Sequence, residues 1–127
     1  MTPIELMRWQ WTGYSRYHRS RANLLLHIGA VPVFLAGNLL LVAALARAEW
    51  SWAVAGLVAM LAALIAQGRG HRREATPPEP FSGPLNAVAR LLVEQWVTFP
   101  RFVLSGGWQR ALRQAGTPLP PLPEDAS

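Results

Sequence analysis

The sequence predicts an all-α protein, an integral membrane helical bundle, and two observations support this prediction. Residues 24–46 and 50–66 form apolar segments of 23 and 17 residues, and their only ionisable side chain is that of His27. A helix that crosses a bilayer needs about 20 predominantly apolar residues, with about 17 as the lower limit. Charged residues make up only 15% of the chain, against roughly 25% in soluble domains.

The two segments predict an antiparallel two-span hairpin, because only residues 47–49 separate them. Basic residues cluster on both outer flanks of this hairpin: Arg8, Arg16, Arg19, Arg21, Arg69, Arg72 and Arg73. By the positive-inside rule, both termini should be cytoplasmic, and the bacterial inner membrane is the expected location. The net charge of +5 comes from twelve arginines that flank apolar runs. This arrangement favours the lipid bilayer as partner and argues against nucleic acid.

Shorter helices should flank the hairpin. Residues 4–18 predict an N-terminal interfacial helix, and the four prolines of residues 76–84 predict a loop. An amphipathic C-terminal helix is expected over residues 85–99, with Pro100 kinking or ending it. This helix is too short to span and should lie at the membrane interface or pack against the hairpin from the cytoplasmic side. Its apolar stripe comprises Leu85, Val88, Ala89, Leu92, Trp96 and Phe99. Residues 1–116 should form a single domain, and the Pro-rich, acidic residues 117–127 a disordered tail.

The three histidines of the chain lie at the boundaries of the apolar segments. His18 and His27 lie at the start of the first segment, and His71 follows the second, so a hairpin would return all three to one side of the membrane. Three imidazoles that converge could bind zinc, copper, iron or nickel. His18 and His27 are nine residues apart, which places them on opposite faces of an unbroken helix. They can share an ion only if the chain bends between them, and Ser20 is a candidate N-cap at that bend.

Other polar residues accompany the histidines at helical spacing. Asn23 shares a helix face with His27, and Gln67, His71 and Glu74 would share another. The competing interpretation is structural: each histidine could be a hydrogen-bonded packing residue, and Asn23 and Gln67 could join helices. Glu74, beside two arginines, could form a solvated surface pair. The spacing alone leaves both interpretations open.

The order of these residues resembles a known family. Tyr14-x3-His18-x4-Asn23-x3-His27-x-Gly29-x2-Pro32, then an apolar hairpin, then Gln67-x2-Gly70-His71-x2-Glu74 and a proline-rich loop, is similar to the Mpo-type membrane proteins. The segment of residues 94–103, followed by Gly106-Gly107-Trp108, resembles the bacterial branch of that family. The resemblance covers roughly residues 8–108. The fungal member is an iron(II)-dependent dioxygenase of 2-hydroxy fatty acids, in the alpha-oxidation step of phytosphingosine breakdown, and it is larger and more hydrophobic than this chain.

The resemblance implies a non-haem Fe(II) dioxygenase that shortens 2-hydroxy fatty acids by one carbon, with O2 as co-substrate. His18, His27 and His71 would be the catalytic metal ligands, and Glu74 would be either a fourth catalytic ligand or an outer partner. Asn23 and Gln67 would be further outer partners that orient the ligands. Substrate would contact Arg19, Arg72, Arg73 and Tyr14. Two other classes remain open: a non-catalytic membrane scaffold with structural histidines, and another metalloprotein such as a haem carrier or a zinc-dependent lipid hydrolase.

Overall fold

A computed structural model describes residues 1–115, and all regular structure within that range is helical. The predicted tail, residues 117–127, lies outside the described residues. The α-helices are α1 (Pro3–Tyr14), α2 (Arg21–Ala46), α3 (Trp50–His71), α4 (Pro84–Val93), α5 (Phe99–Leu104) and α6 (Gly107–Gln114). The prediction of an all-α fold is confirmed for these residues.

Helix α1 is shorter than the predicted helix of residues 4–18. It begins at a capping box, in which the Thr2 side chain accepts from the backbone N–H of Glu5 and the Glu5 side chain accepts from that of Thr2. Such reciprocal bonds satisfy donors that a helix start otherwise leaves unpaired. The helix ends at Tyr14, and a 3₁₀ turn (Ser15–Tyr17) leads to an extended stretch of chain before α2. This break allows the direction of the chain to change next to His18.

Helices α2 and α3 are both long and apolar enough to cross a membrane, with mean hydropathies of 2.2 and 1.7 over their most apolar windows. Only 28% and 22% of those windows is buried inside the protein. A core helix of a soluble protein would instead bury most of its apolar surface. Helix α3 extends to His71, beyond the apolar segment of residues 50–66 and the predicted end of the second span at about residue 68.

Helices α2 and α3 pack against each other where glycines let their backbones approach. A Cβ atom added at Gly37 would lie 2.8 Å from the carbonyl oxygen of Gly56, and one added at Gly56 would lie 2.7 Å from the carbonyl oxygen of Gly37. Near the other end of the pair, Gly70 of α3 packs against Asn23 of α2. The contacting positions run in opposite directions along the two helices, so the pair is antiparallel. Small residues allow this kind of close contact.

Pro100 does not end the C-terminal helix, because a π-helical turn (Glu94–Thr98) joins α4 to α5. A proline ring clashes with the carbonyl four residues earlier and removes one backbone donor. A π turn is a known way to absorb such an irregularity within a helix. Residues 84–104 therefore form one continuous helical segment, here named the 84–104 helix, which is longer than the predicted 85–99.

The apolar stripe predicted for this helix faces outward. Leu85, Val88, Leu92 and Trp96 are exposed, whereas Gln95 and Thr98 are buried. Of the predicted stripe, Ala89 is half-buried, and Phe99 is buried in a cluster with Tyr14, Leu24, Val31 and Phe102. The 84–104 helix thus turns several of its polar side chains toward the rest of the protein.

Candidate metal centre

The turn before α2 brings His18 beside His27. Ser20 is the N-cap of α2, and its hydroxyl accepts from the backbone N–H of Asn23 at 3.4 Å, as the sequence predicted. The backbone of Ser20 is extended (φ −72°, ψ 131°), so the preceding residues leave the axis of α2. As a result, the His18 and His27 ring centroids lie 4.8 Å apart, and both side chains are buried.

Backbone carbonyls determine which nitrogen each of these two imidazoles presents. Nδ1 of His18 donates to the carbonyl oxygen of Tyr14 at 2.8 Å, and Nδ1 of His27 donates to that of Asn23 at 3.0 Å. A carbonyl oxygen can only accept, so in each ring Nδ1 carries the proton. In the neutral ring, Nε2 then carries a lone pair. Both Nε2 atoms are buried without a hydrogen-bond partner.

The third histidine reaches the same point from the end of α3. The ring of His71 lies 4.9 Å from that of His18 and 5.0 Å from that of His27, between centroids. Nδ1 of His71 is buried and also lacks a partner. The antiparallel packing of α2 and α3 is what brings this residue back to the start of α2.

The fourth member of the cluster is Glu94, which is not among the site residues predicted from the sequence. One ligand atom from each of His18, His27, His71 and Glu94 can be chosen so that all four lie within 4.8 Å of one another. Oε1 of Glu94 is 3.5 Å from Nε2 of His18 and 3.4 Å from Nε2 of His27. The signal available in the sequence was weak: Glu94 is one of seven acidic residues and falls off the apolar stripe of its helix.

The donor set is suited to a cation. A carboxylate only accepts hydrogen bonds, and the neutral Nε2 atoms that face it carry lone pairs. Buried acceptors that face each other without a hydrogen between them are unfavourable unless a proton or a metal ion lies among them. Imidazole and carboxylate together are typical ligands of non-haem iron and of zinc. His18, His27, His71 and Glu94 therefore fit a bound metal ion.

Tyr14 supports this cluster. Its hydroxyl donates to Oε1 of Glu94 at 2.9 Å, and its ring stacks on that of His18 with centroids 3.9 Å apart. Burial, with the charge and the hydrogen bond of Glu94, raises the pKa of Tyr14 well above its usual value. The phenol therefore stays protonated and remains a donor. The family resemblance implies a substrate contact for Tyr14, whereas in the structure it contacts two members of the cluster.

Glu74 lies outside the cluster and binds the start of α2. Its carboxylate accepts from the backbone N–H groups of Arg19 and Ser20, at 2.9 and 2.8 Å, and from the side-chain amide of Asn23 at 2.7 Å. It thus connects the chain after α3 to the N-terminus of α2, where a negative charge is favourable. Asn23 contacts His27 through its backbone carbonyl, not through its amide.

Gln67 also has a partner that the sequence did not indicate. Its amide exchanges two hydrogen bonds with the amide of Gln95, at 2.9 and 2.7 Å, and both side chains are buried. This reciprocal pair connects α3 to the π turn next to Glu94. Gln67 thus holds in place the 84–104 helix, which contains Glu94.

A cleft of about 680 Å³ opens onto the cluster. His18, His71 and Glu94 form part of its wall, and Arg16, Arg72 and Arg90 also line it. The remaining lining is largely apolar or aromatic and includes Trp9, Tyr17, Leu64, Phe81 and Leu91. The arginines predicted to contact substrate therefore lie in three different places. Arg72 lines this cleft, Arg19 lines a second cavity on the other side of His18, and Arg73 is exposed outside both.

No protein-family model, curated protein or solved structure matches the chain.

Proposed function

We propose that the protein is a membrane-embedded, iron(II)-dependent dioxygenase that shortens 2-hydroxy fatty acids by one carbon. The observation that carries the proposal is the cluster of three imidazoles, two of them buried and one half-buried, and one half-buried carboxylate beside an apolar cleft lined by arginines. The resemblance to the Mpo-type family supports the choice of iron and of the substrate class.

His18, His27, His71 and Glu94 would hold the metal ion. The backbone carbonyls of Tyr14 and Asn23 would fix the two ring tautomers, as partners of metal-bound histidines do. Iron(II) held in this way would supply O2 activation and a Lewis acid for the substrate. In the overall reaction, R–CH(OH)–COOH and O2 give R–COOH, CO2 and H2O. The substrate loses four electrons, O2 gains them, and the bond between C1 and C2 breaks.

The cleft would bind the substrate with its carboxylate near the cluster. Arg16 and Arg72 provide positive charge along its wall, and Leu64 and Leu91 provide apolar surface for the acyl chain. Gly68 lines the same cleft, and a Cβ atom added there would meet nothing within 4 Å. The space beside Gly68 is therefore free for a ligand.

Helices α2 and α3 would form the membrane-spanning hairpin, with both termini cytoplasmic and the bacterial inner membrane as location. The support is their length, their hydropathy and the outward exposure of their apolar side chains, which include Leu39, Val42, Val54 and Ile65. Arginines before α2 and after α3 set the orientation. The metal cluster would then lie at the cytoplasmic end of the hairpin.

The test is anaerobic purification followed by metal analysis and assay. The proposal predicts about one iron per chain and O2-dependent release of a fatty acid one carbon shorter from a 2-hydroxy fatty acid. The triple variant H18A/H27A/H71A is the control, and it should insert into the membrane yet bind no iron. Wild-type protein loaded with iron that consumes no 2-hydroxy fatty acid would contradict the proposed activity.

The rival classes give different results in the same experiment. A scaffold with structural histidines predicts no stoichiometric metal. A haem carrier would show a Soret absorption band, and a zinc-dependent lipid hydrolase would bind zinc and act without O2. The buried, unpartnered ring nitrogens of the cluster favour a metal enzyme over a scaffold, because a scaffold would leave them unsatisfied.

A further inference from the structure

The 84–104 helix has its polarity reversed relative to an amphipathic helix of a soluble protein. Its inward side chains are polar at several positions: Glu94 joins the metal cluster, Gln95 pairs with Gln67, and Thr98 hydrogen-bonds to Gln10. Its outward side chains are apolar, with exposures of 87% for Leu85, 55% for Val88, 39% for Leu92 and 38% for Val97. A helix in contact with water would place its apolar stripe against the core instead.

Two tryptophan contacts show how far this part of the chain extends along α2. Nε1 of Trp108 donates to the carbonyl oxygen of Leu24 at 2.9 Å, and Nε1 of Trp96 donates to Oδ1 of Asn38 at 3.0 Å. The α2 positions contacted are 14 residues apart, or about 21 Å along the helix axis. This is about two thirds of the ~30 Å hydrocarbon layer that a spanning helix crosses.

The Trp96 contact lies at a depth that a surface helix does not reach. Asn38 is 17 residues from the first residue of α2, or about 25 Å along the axis. An amphipathic helix that lies on a bilayer buries its apolar face only about 5–10 Å into it. Trp96 is itself 41% exposed, so its side chain is partly uncovered at the point where it contacts α2.

We propose that the 84–104 helix is embedded in the bilayer, and that its outer face of Leu85, Val88, Leu92, Trp96 and Val97 contacts lipid acyl chains. The occupant of this face is hydrocarbon and not water or a second protein chain. This inference rests on the proposed membrane location of α2 and α3. It places a third helix beside the hairpin, where the sequence predicted a helix at the interface or on its cytoplasmic side.

Spin labels on single cysteines test the proposal, since the natural chain has no cysteine to remove. Val88→Cys, Leu92→Cys and Val97→Cys report on the 84–104 helix in reconstituted protein. Leu39→Cys on the outer side of α2 is the membrane control, and Ser82→Cys in the loop before α4 is the aqueous control. Each variant should first retain the metal content and helical circular dichroism of the wild type.

We expect the Leu92 and Val97 labels to collide readily with O2 and poorly with a water-soluble nickel chelate, as the Leu39 label does. The Val97 label should lie more than about 10 Å below the phosphates, deeper than a surface helix allows. Nickel accessibility like that of Ser82 or a shallower depth would overturn the inference. So would shielding from both reagents with spin–spin broadening, since a second copy would then cover the face. If the Leu39 label is itself accessible to nickel, the membrane location of the hairpin fails as well.

Discussion

Glu94 and Glu74 have different roles in this protein, although both carboxylates lie near histidines. Glu94 points to three imidazoles, whereas Glu74 accepts from two backbone N–H groups at the start of α2. The first arrangement favours metal binding, and the second favours stability of the fold. The two residues can therefore be separated experimentally.

Glu94→Gln should reduce metal affinity by more than the roughly 100-fold that marks the upper end for an outer partner, because it replaces an anionic ligand by a neutral amide. Competition with a chelator of known affinity measures the change. Glu74→Gln is the matched control. It should keep its metal and lose about 1.5–3 kcal/mol of stability, the range for hydrogen bonds to a charged group, seen as a lower temperature of thermal unfolding. Loss of metal from Glu74→Gln alone would reverse the assignment.

Tyr14→Phe should weaken metal binding by about 10- to 100-fold, because Glu94 would lose the hydrogen bond that orients it. Ring stacking on His18 would be retained, so the fold should persist. Tyr17→Phe serves as the control, since the Tyr17 hydroxyl contacts exposed Glu79 at 3.3 Å and not the cluster. Equal metal affinity in wild type and Tyr14→Phe would exclude this role for the phenol.

The packing of α2 against α3 determines the position of His71. The close approach of Gly37 and Gly56, and of Gly70 and Asn23, fixes the register of the two helices. A shift of this register would move His71 away from His27. The helix pair is therefore part of the site even where its residues do not touch the cluster.

Two alanine substitutions in α2 test this packing. At Gly37 a Cβ atom would lie 2.8 Å from a backbone oxygen and 3.0 Å from Cβ of Ala59, so Gly37→Ala should cost about 1–3 kcal/mol through overpacking. At Gly29 nothing lies within 4 Å, and Gly29→Ala should be neutral or gain up to about 1 kcal/mol of helix propensity. Thermal unfolding of both variants in the same detergent is the measurement. A destabilised Gly29→Ala beside an unaffected Gly37→Ala would contradict the observed register.

At the scale of the whole molecule, the arginine distribution predicts the orientation. Reporter fusions at residue 48 and at residue 115 should lie on opposite sides of the membrane, with residue 115 in the cytoplasm, because two spans return the chain to its starting side. An alkaline phosphatase and fluorescent protein pair makes the assignment at each point. Both fusion points on one side would contradict this topology, in which the hairpin spans the membrane and the 84–104 helix does not cross it.

The described residues confirm the sequence-based prediction of an all-α fold with two long apolar helices, because both depend on local pattern. A run of apolar residues, a serine cap and a capping box each act within a few positions along the chain. The grouping of His18, His27 and His71 was predicted only on condition of a bend near Ser20, and the structure contains that bend.

Tertiary structure determines three features: the position of Glu94 in the cluster, the pairing of Gln67 with Gln95, and the orientation of the 84–104 helix. Glu94 is 67 residues from His27. Their contact depends on how the helices pack, so no spacing pattern in the sequence indicates it. The stripe of the 84–104 helix indicates that one face is apolar, but periodicity does not state whether protein or lipid covers it. Only the packed helices decide this, because the polar groups that need partners find them on the inner side.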